Sequence, residues 1–308
     1  MIAVILVAVG VIAQVSKARR TSHYLQDLAL QEPDKVMEAM TQLRARGASV
    51  GPRLAELVQA GDETAAPRAA WLLGLVKSEA GDQALVAALT SPNTTLRVAA
   101  LQSLGQLRLA SAQPAVAGVL ADATQKPEVR ASAAYALGMM GLPESAGALA
   151  KALADRPQPV PPVPPSPVPP AAAVPPPPDT TLSTRLAAAL ALGQLRAVDG
   201  VAPLAETLKP DVEPSPEVRV AAAYALGDVA ANVMEDDKSR AAAEGLLTGL
   251  ADKVGDVRVA SAYALGKVAL PTDMEAQTNT ALKAAYEDKH YWARLAAQDS
   301  HSRLKLAD

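Results

Sequence analysis

The chain has 308 residues with no Cys and no Phe, and hydrophobic residues reach 50% while aromatics stay at 3%. A core built from Ala, Leu and Val favours closely packed helices over an all-β sandwich, which would want more Tyr, Phe, Ile and Thr. The 29 basic and 32 acidic residues nearly balance, which argues against a nucleic-acid binder, and zero Cys excludes disulfides, thiolate metal sites and Cys nucleophiles.

Met1 to Ala13 is an uninterrupted apolar run, followed by Lys17, Arg19 and Arg20. Fifteen helical residues span about 22 Å against a hydrocarbon core of about 30 Å, and the flanking cations can snorkel. Residues 1–20 are therefore expected to be a membrane anchor with a basic flank, touching the membrane through residues 1–16. The positive-inside rule then places the downstream chain in the cytoplasm. A cleaved secretory signal, with export of the rest to the periplasm, is the alternative. It would explain the short run, but the basic residues follow the apolar stretch instead of preceding it. A misplaced start is the third possibility.

Self-comparison organises everything downstream. PEVRASAAYALGMMG from Pro127, PEVRVAAAYALGDVA from Pro216 and GDVRVASAYALGKVA from Gly255 share VR, Ala at fixed offsets and YALG. Weaker copies begin at Thr64, Thr94, Leu182 and His290, and the last has Ser302 where Gly belongs. The motif glycines Gly74, Gly105, Gly138, Gly193, Gly227 and Gly266 are spaced by 31, 33, 55, 34 and 39 residues. A period in the thirties with two helices per unit is the pattern of an α-solenoid. In the copy from Pro216, Val218, Ala222, Ala225, Leu226 and Val229 recur at helical spacing and form one apolar face. A Gly inside a helix costs about 1 kcal/mol against Ala, so close backbone approach or a helix end must compensate.

Between two copies, Arg156 to Thr180 holds 13 of the 25 prolines. Such a stretch cannot form helix or sheet ladders and is expected to be polyproline II. A looped-out excursion from a continuous solenoid and a hinge between two half-solenoids are both open, the excursion being favoured because the repeats are equally good on either side. The segment also fits R-x-x-P-x-x-P from Arg156, a pattern that Src-homology-3-type grooves accept, against the plainer role of spacer.

The run [E/D]-V-R-x-x-A-A-x-A-L-G resembles the HEAT-like repeat, in the version found in phycobilisome lyases, and the resemblance covers about Asp34 to Leu304. It implies an all-α α-solenoid of about seven to eight HEAT-like helix pairs, with an N-terminal apolar helix and a proline-rich inserted loop. The expected order is an anchor at 1–20, repeats at 21–155, the loop at 156–180 and repeats at 181–308 continuing the same solenoid. The resemblance also implies an Asp at the end of one repeat paired with the Arg six residues on. Asp179–Arg185, Asp252–Arg258 and Asp288–Arg294 have that spacing; Asp122–Arg130 and Asp211–Arg219 are eight apart, and Ser91–Arg97 lacks the charge. The physical reading is a ladder of charge-assisted hydrogen bonds that sets inter-repeat geometry, with a ligand-binding row of arginines as the alternative.

Catalytic motifs are missing from the chain. The HEAT-fold oxidoreductase deoxyhypusine hydroxylase carries His-Glu dipeptides, and here His23, His290 and His301 are not followed by Glu. Asp299-Ser300-His301 holds triad residue types, but adjacent helical residues point in different directions. No enzyme activity, cofactor or metal site is expected, and no nucleic acid. One constellation stands out: three residues before the motif glycines stand Trp71, Gln102, Tyr135, Leu190, Tyr224 and Tyr263, with Asp299 in the last copy. Equivalent positions of a solenoid stack into a row. Trp71, Tyr135, Tyr224 and Tyr263 either fill gaps between Ala-rich helices or anchor an unidentified protein partner. The expected function is a membrane-anchored, non-enzymatic interaction scaffold of undetermined oligomeric state, with a bilin lyase-like chaperone as the alternative.

Overall fold

In the computed structural model the described residues are 16, 18–156, 179–231, 233 and 235–306. All regular structure among them is helical. The chain divides into two units, residues 1–140 and 141–308.

The first unit contains a helix at 18–27 (α1), then α2 (Pro33–Ala45), α3 (Gly51–Ala60), α4 (Ala65–Val76), α5 (Glu79–Ala88), α6 (Thr94–Leu107), α7 (Gln113–Ala121) and α8 (Pro127–Met140). The motif helices α4, α6 and α8 lie side by side, and α3, α5 and α7 pack behind them as a second layer. The second unit contains α9 (Ala146–Leu153), α10 (Leu182–Leu195), α11 (Val201–Thr207), α12 (Pro216–Ala230), α13 (Asp236–Leu250), α14 (Gly255–Leu265), α15 (Glu275–Ala284) and α16 (Tyr291–Leu304). Here α10, α12, α14 and α16 form the motif layer, backed by α9, α11, α13 and α15. This layered stacking of helix pairs is the α-solenoid arrangement. Helices α9 and α10, on opposite sides of the proline-rich stretch, pack against each other within one unit. Residues 157–178 themselves lie outside the described residues.

Local chemistry explains where the motif helices start and stop. Pro216 sits in the first turn of α12, where its missing N–H costs nothing, with Glu217 beside it at the positive end of the dipole. The Asn93 side chain accepts a bond from the Leu96 N–H and caps α6. At their far ends α6 and α10 stop on Arg108 (φ 51°) and Arg196 (φ 48°), both left-handed. Between the ends, small residues bring the motif helices together. A Cβ on Gly193 would stand 2.9 Å from the Ala225 Cα, and one on Gly227 would stand 3.0 Å from the Ala264 Cα. Close backbone approach, not a helix end, is what these two glycines serve. The Leu and Ala side chains between the layers, such as Leu226, Ala262 and Leu265, are fully buried.

The expected membrane-anchored localisation is corrected. No helix among the described residues is long and apolar enough to cross a membrane. Helices α12 and α13 have 15 residues each, about 22 Å against a hydrocarbon core of about 30 Å. The apolar run expected to form the anchor lies at residues 1–15, outside the described residues.

Candidate partner-binding face

The acidic and basic residues of the second unit form a continuous chain of bonds. Arg185, fully buried, donates to both carboxylate oxygens of Asp179 at 2.7 and 3.1 Å and grips Glu213 bidentately at 2.8 and 3.0 Å. Arg219 donates to the Glu213 backbone carbonyl at 2.7 Å and grips the Asp252 carboxylate at 2.8 and 3.1 Å. Arg258 repeats the step, donating to the Asp252 carbonyl at 2.9 Å and gripping Asp288 at 2.6 and 2.7 Å. Arg294 ends the series on the Asp288 carbonyl at 2.7 Å. Each of these carboxylates also accepts the backbone N–H two residues on, from Thr181, Ser215, Val254 and His290. Arg185 lowers the pKa of Asp179, and Arg258 does the same to Asp288.

This geometry differs from local Asp–Arg pairing in four ways. At Asp252–Arg258 and Asp288–Arg294 the six-residue partners meet through the backbone carbonyl, while the carboxylate goes back to the Arg of the preceding repeat. Asp211 is exposed, and Glu213, six residues before Arg219, holds the position expected of it. Asp122 bonds Thr124 and Gln125, and Arg130 donates to the Leu120 carbonyl at 3.0 Å. Arg97 in the first unit donates to the neutral Gln125 at 2.7 Å, where the second unit uses a carboxylate. Glu213 was legible from its spacing, because six residues separate it from Arg219 as they separate Asp252 from Arg258. Every guanidinium of the second-unit ladder is committed to the protein itself, which leaves the arginine row little to offer a ligand.

The row three residues before the motif glycine lies on the outer surface of the motif layer. In the first unit Trp71 and Tyr135 are 37% and 46% exposed. In the second unit Leu190 and Tyr224 are 46% and 38% exposed, and Tyr263 is half-buried. Tyr224 and Tyr263 meet edge to face, with ring centroids 5.9 Å apart. The Lys267 ammonium stands 4.6 Å from the Tyr263 ring centroid while bonding Asp228 at 2.7 Å.

Residues four and seven positions earlier share this helical face. They add Leu186, Val220 and Val259, all half-buried, with Glu217 and Asp256 exposed beyond them. On α16 the same two positions are Leu295 and Trp292, 44% and 60% exposed. The sequence reading missed these two, although the 3.6-residue period from Asp299 back through Leu295 to Trp292 points to them. Pro216, Glu217, Val220, Tyr224, Val254, Asp256 and Val259 line an open cleft of about 440 Å³ between α12 and α14. That lies within the ~300–1,000 Å³ usual for ligand clefts.

Residues 83–161 match the family model for HEAT repeats, and residues 184–209 match the model for the PBS lyase HEAT-like repeat. The chain carries HEAT repeats. No curated protein matches the sequence significantly. Among solved structures, an engineered protein is similar at 20% identity and a TM-score of 0.53, covering 92% of this chain and 78% of that one. At this identity the likeness concerns the HEAT-repeat fold alone. The complex of CpcE and CpcF of phycocyanin lyase from Nostoc sp. PCC7120 matches at 23% identity and a TM-score of 0.45, covering 82% of this chain and 94% of that one. Human deoxyhypusine hydroxylase matches at 22% identity and a TM-score of 0.32, covering 89% and 99%.

Among the described residues no group of three or more His, Cys, Asp or Glu side chains converges as metal ligands would. Within Asp299-Ser300-His301, the buried Ser300 hydroxyl donates to the Ala262 carbonyl at 2.7 Å and Asp299 pairs with Arg303 at 2.8 Å. Neither turns to His301, so the three do not form a relay.

Proposed function

We propose that this protein is a non-enzymatic interaction scaffold that receives a protein partner on the motif-helix face of its second unit. The observation that carries the reading is the row of exposed apolar side chains Leu190, Tyr224, Trp292 and Leu295 on the motif helices of the second unit. Large apolar side chains gathered on one exposed face cost solubility and mark contact surfaces in soluble repeat proteins. Tyr and Trp are also the residue types that most often anchor interfaces. Trp71 and Tyr135 are proposed as lesser contacts on the first unit, and the arginine–acid ladder as the support that holds the face in register.

The test is affinity capture from source cells with the tagged protein and with a Tyr224→Ala, Tyr263→Ala variant. The scaffold reading expects a partner recovered by the parent and lost by the variant, which still melts cooperatively with only the modest loss of the edge-to-face pair. Lost stability with unchanged recovery would mean that the tyrosines only fill gaps.

A second reading is favoured by the PBS lyase HEAT-like match at residues 184–209: a chaperone that handles a bilin chromophore on its carrier protein. Mixing the protein with a bilin and following the visible absorbance tests it. A shifted band supports the chaperone, and an unchanged spectrum removes it.

A further inference from the structure

We infer that the cleft between α12 and α14 takes an extended segment of a partner protein that carries an Arg or Lys two residues before an apolar residue, the spacing that puts both side chains on one face. The inference rests on the scaffold reading and names what the partner must present.

The cleft has two chemically different ends. Val220, Val259 and the Tyr224 ring make its inner part apolar, while Glu217 and Asp256 stand on its two walls near the helix starts. Each acid lies in the first turn of its own helix. The Ser215 hydroxyl donates to Glu217 at 2.7 Å and lowers its pKa, so Glu217 is charged at neutral pH. The Asp256 side chain is 78% exposed, with the His290 imidazole 3.7 Å away. Arg219 and Arg258, the nearest guanidiniums in sequence, are turned into the ladder and bonded there. Lys253 is exposed in the turn before α14. Two carboxylates thus face one cleft, and a cationic side chain between them would meet opposite charge on both sides while the apolar residue two positions on enters the inner part.

The face continues in the same register. On α16, Trp292 takes the position of Glu217 and Asp256, and Leu295 takes that of Val220 and Val259. Packed helices lie about 8–10 Å apart, and an extended chain advances about 3.3 Å per residue. A second apolar residue about three positions beyond the first would therefore reach Leu295 and Trp292. The chain's own residues 157–178 contain no charged residue, so they would leave both carboxylates unmatched. The partner is a foreign segment.

Fluorescence anisotropy of the full chain tests this with two labelled decapeptide libraries. Both fix Val at the fifth position and Leu at the eighth; one fixes Arg at the third and the other fixes Glu there. The expected result is at least about tenfold tighter binding of the Arg library. Glu217→Gln with Asp256→Asn should bring the two libraries together while the melting transition stays cooperative and falls only by the small loss of two helix-dipole contacts, and Tyr224→Ala should weaken the Arg library. Equal binding of the libraries, no binding by either, or no change in the Gln/Asn variant would overturn the inference. Stronger binding of the Arg library after deletion of residues 157–178 would also overturn it, by making the proline-rich segment the occupant. If the libraries fail while the Tyr224→Ala, Tyr263→Ala variant still loses its captured partner, the scaffold reading stands alone. If that variant also retains its partner, both fall.

Discussion

Gly193 and Gly118 both sit inside helices, in different surroundings. An added methyl on Gly193 meets the Ala225 backbone, whereas one on Gly118 meets nothing within 4 Å. Gly118→Ala is expected to raise stability by about 0.5–1 kcal/mol through helix propensity alone. Gly193→Ala gains the same propensity but pushes α10 and α12 apart, and a net loss of about 1–2 kcal/mol is expected. Chemical denaturation of the two variants measures both signs. The acids separate in the same way. Glu213→Gln removes the carboxylate from the buried Arg185 and is expected to cost about 3–5 kcal/mol, whereas Asp211→Asn, at an exposed position, should stay within about 0.5 kcal/mol. Equal effects of these two substitutions would contradict the ladder. Its pH dependence has a definite sign. The folded pKa values of Asp179 and Asp288 lie below their ordinary values, so the unfolded chain binds the protons more readily. Their stabilisation is complete above the ordinary Asp pKa of about 3.9 and is lost as pH falls through the lower folded values. Thermal melts from neutral pH to pH 2 should show this loss in the parent, and a smaller pH-dependent loss in Asp288→Asn.

At the scale of the helix, composition and periodicity made most of the architecture readable. The copies of V-R-x-x-A-A located the motif helices because each buries the same Ala and Leu positions against the same kinds of neighbour. Helix ends were less readable. Arg108 and Arg196 close their helices in the left-handed conformation, which a long side chain ordinarily avoids and nothing in their residue type announces. Replacing Arg196 by Gly is expected to raise the melting temperature, because Gly takes that conformation without a Cβ penalty worth about 1 kcal/mol. The exposed face was half-legible. Trp71, Tyr135, Tyr224 and Tyr263 emerged from one alignment column, whereas Trp292 and Leu295 sit in a copy whose column residue is Asp299. The cross-repeat grip of each Arg was not legible at all, since a partner 28 to 33 residues away is set by how the helices stack and not by local spacing.

At the scale of the molecule, the helix pair copied along the chain makes stability local and leaves a repeated surface available for contact. The proline-rich stretch interrupts the sequence without separating α9 from α10. Replacing residues 157–178 by a short Gly-Ser linker should leave the melting transition cooperative and nearly unmoved, since shortening a loop changes its closure free energy by only about 0.6 kcal/mol per halving. No helix among the described residues is long and apolar enough to cross a membrane, and the central claim to test is the proposed contact face of the second unit. The most direct test is site-specific photo-crosslinking in source cells. A benzophenone amino acid is placed at Tyr224 on this face, and in a second protein at Gln277, exposed on α15 in the other layer. One discrete crosslinked partner from position 224 and none from position 277 is the predicted result. No crosslink from 224, or the same products from both positions, would contradict it.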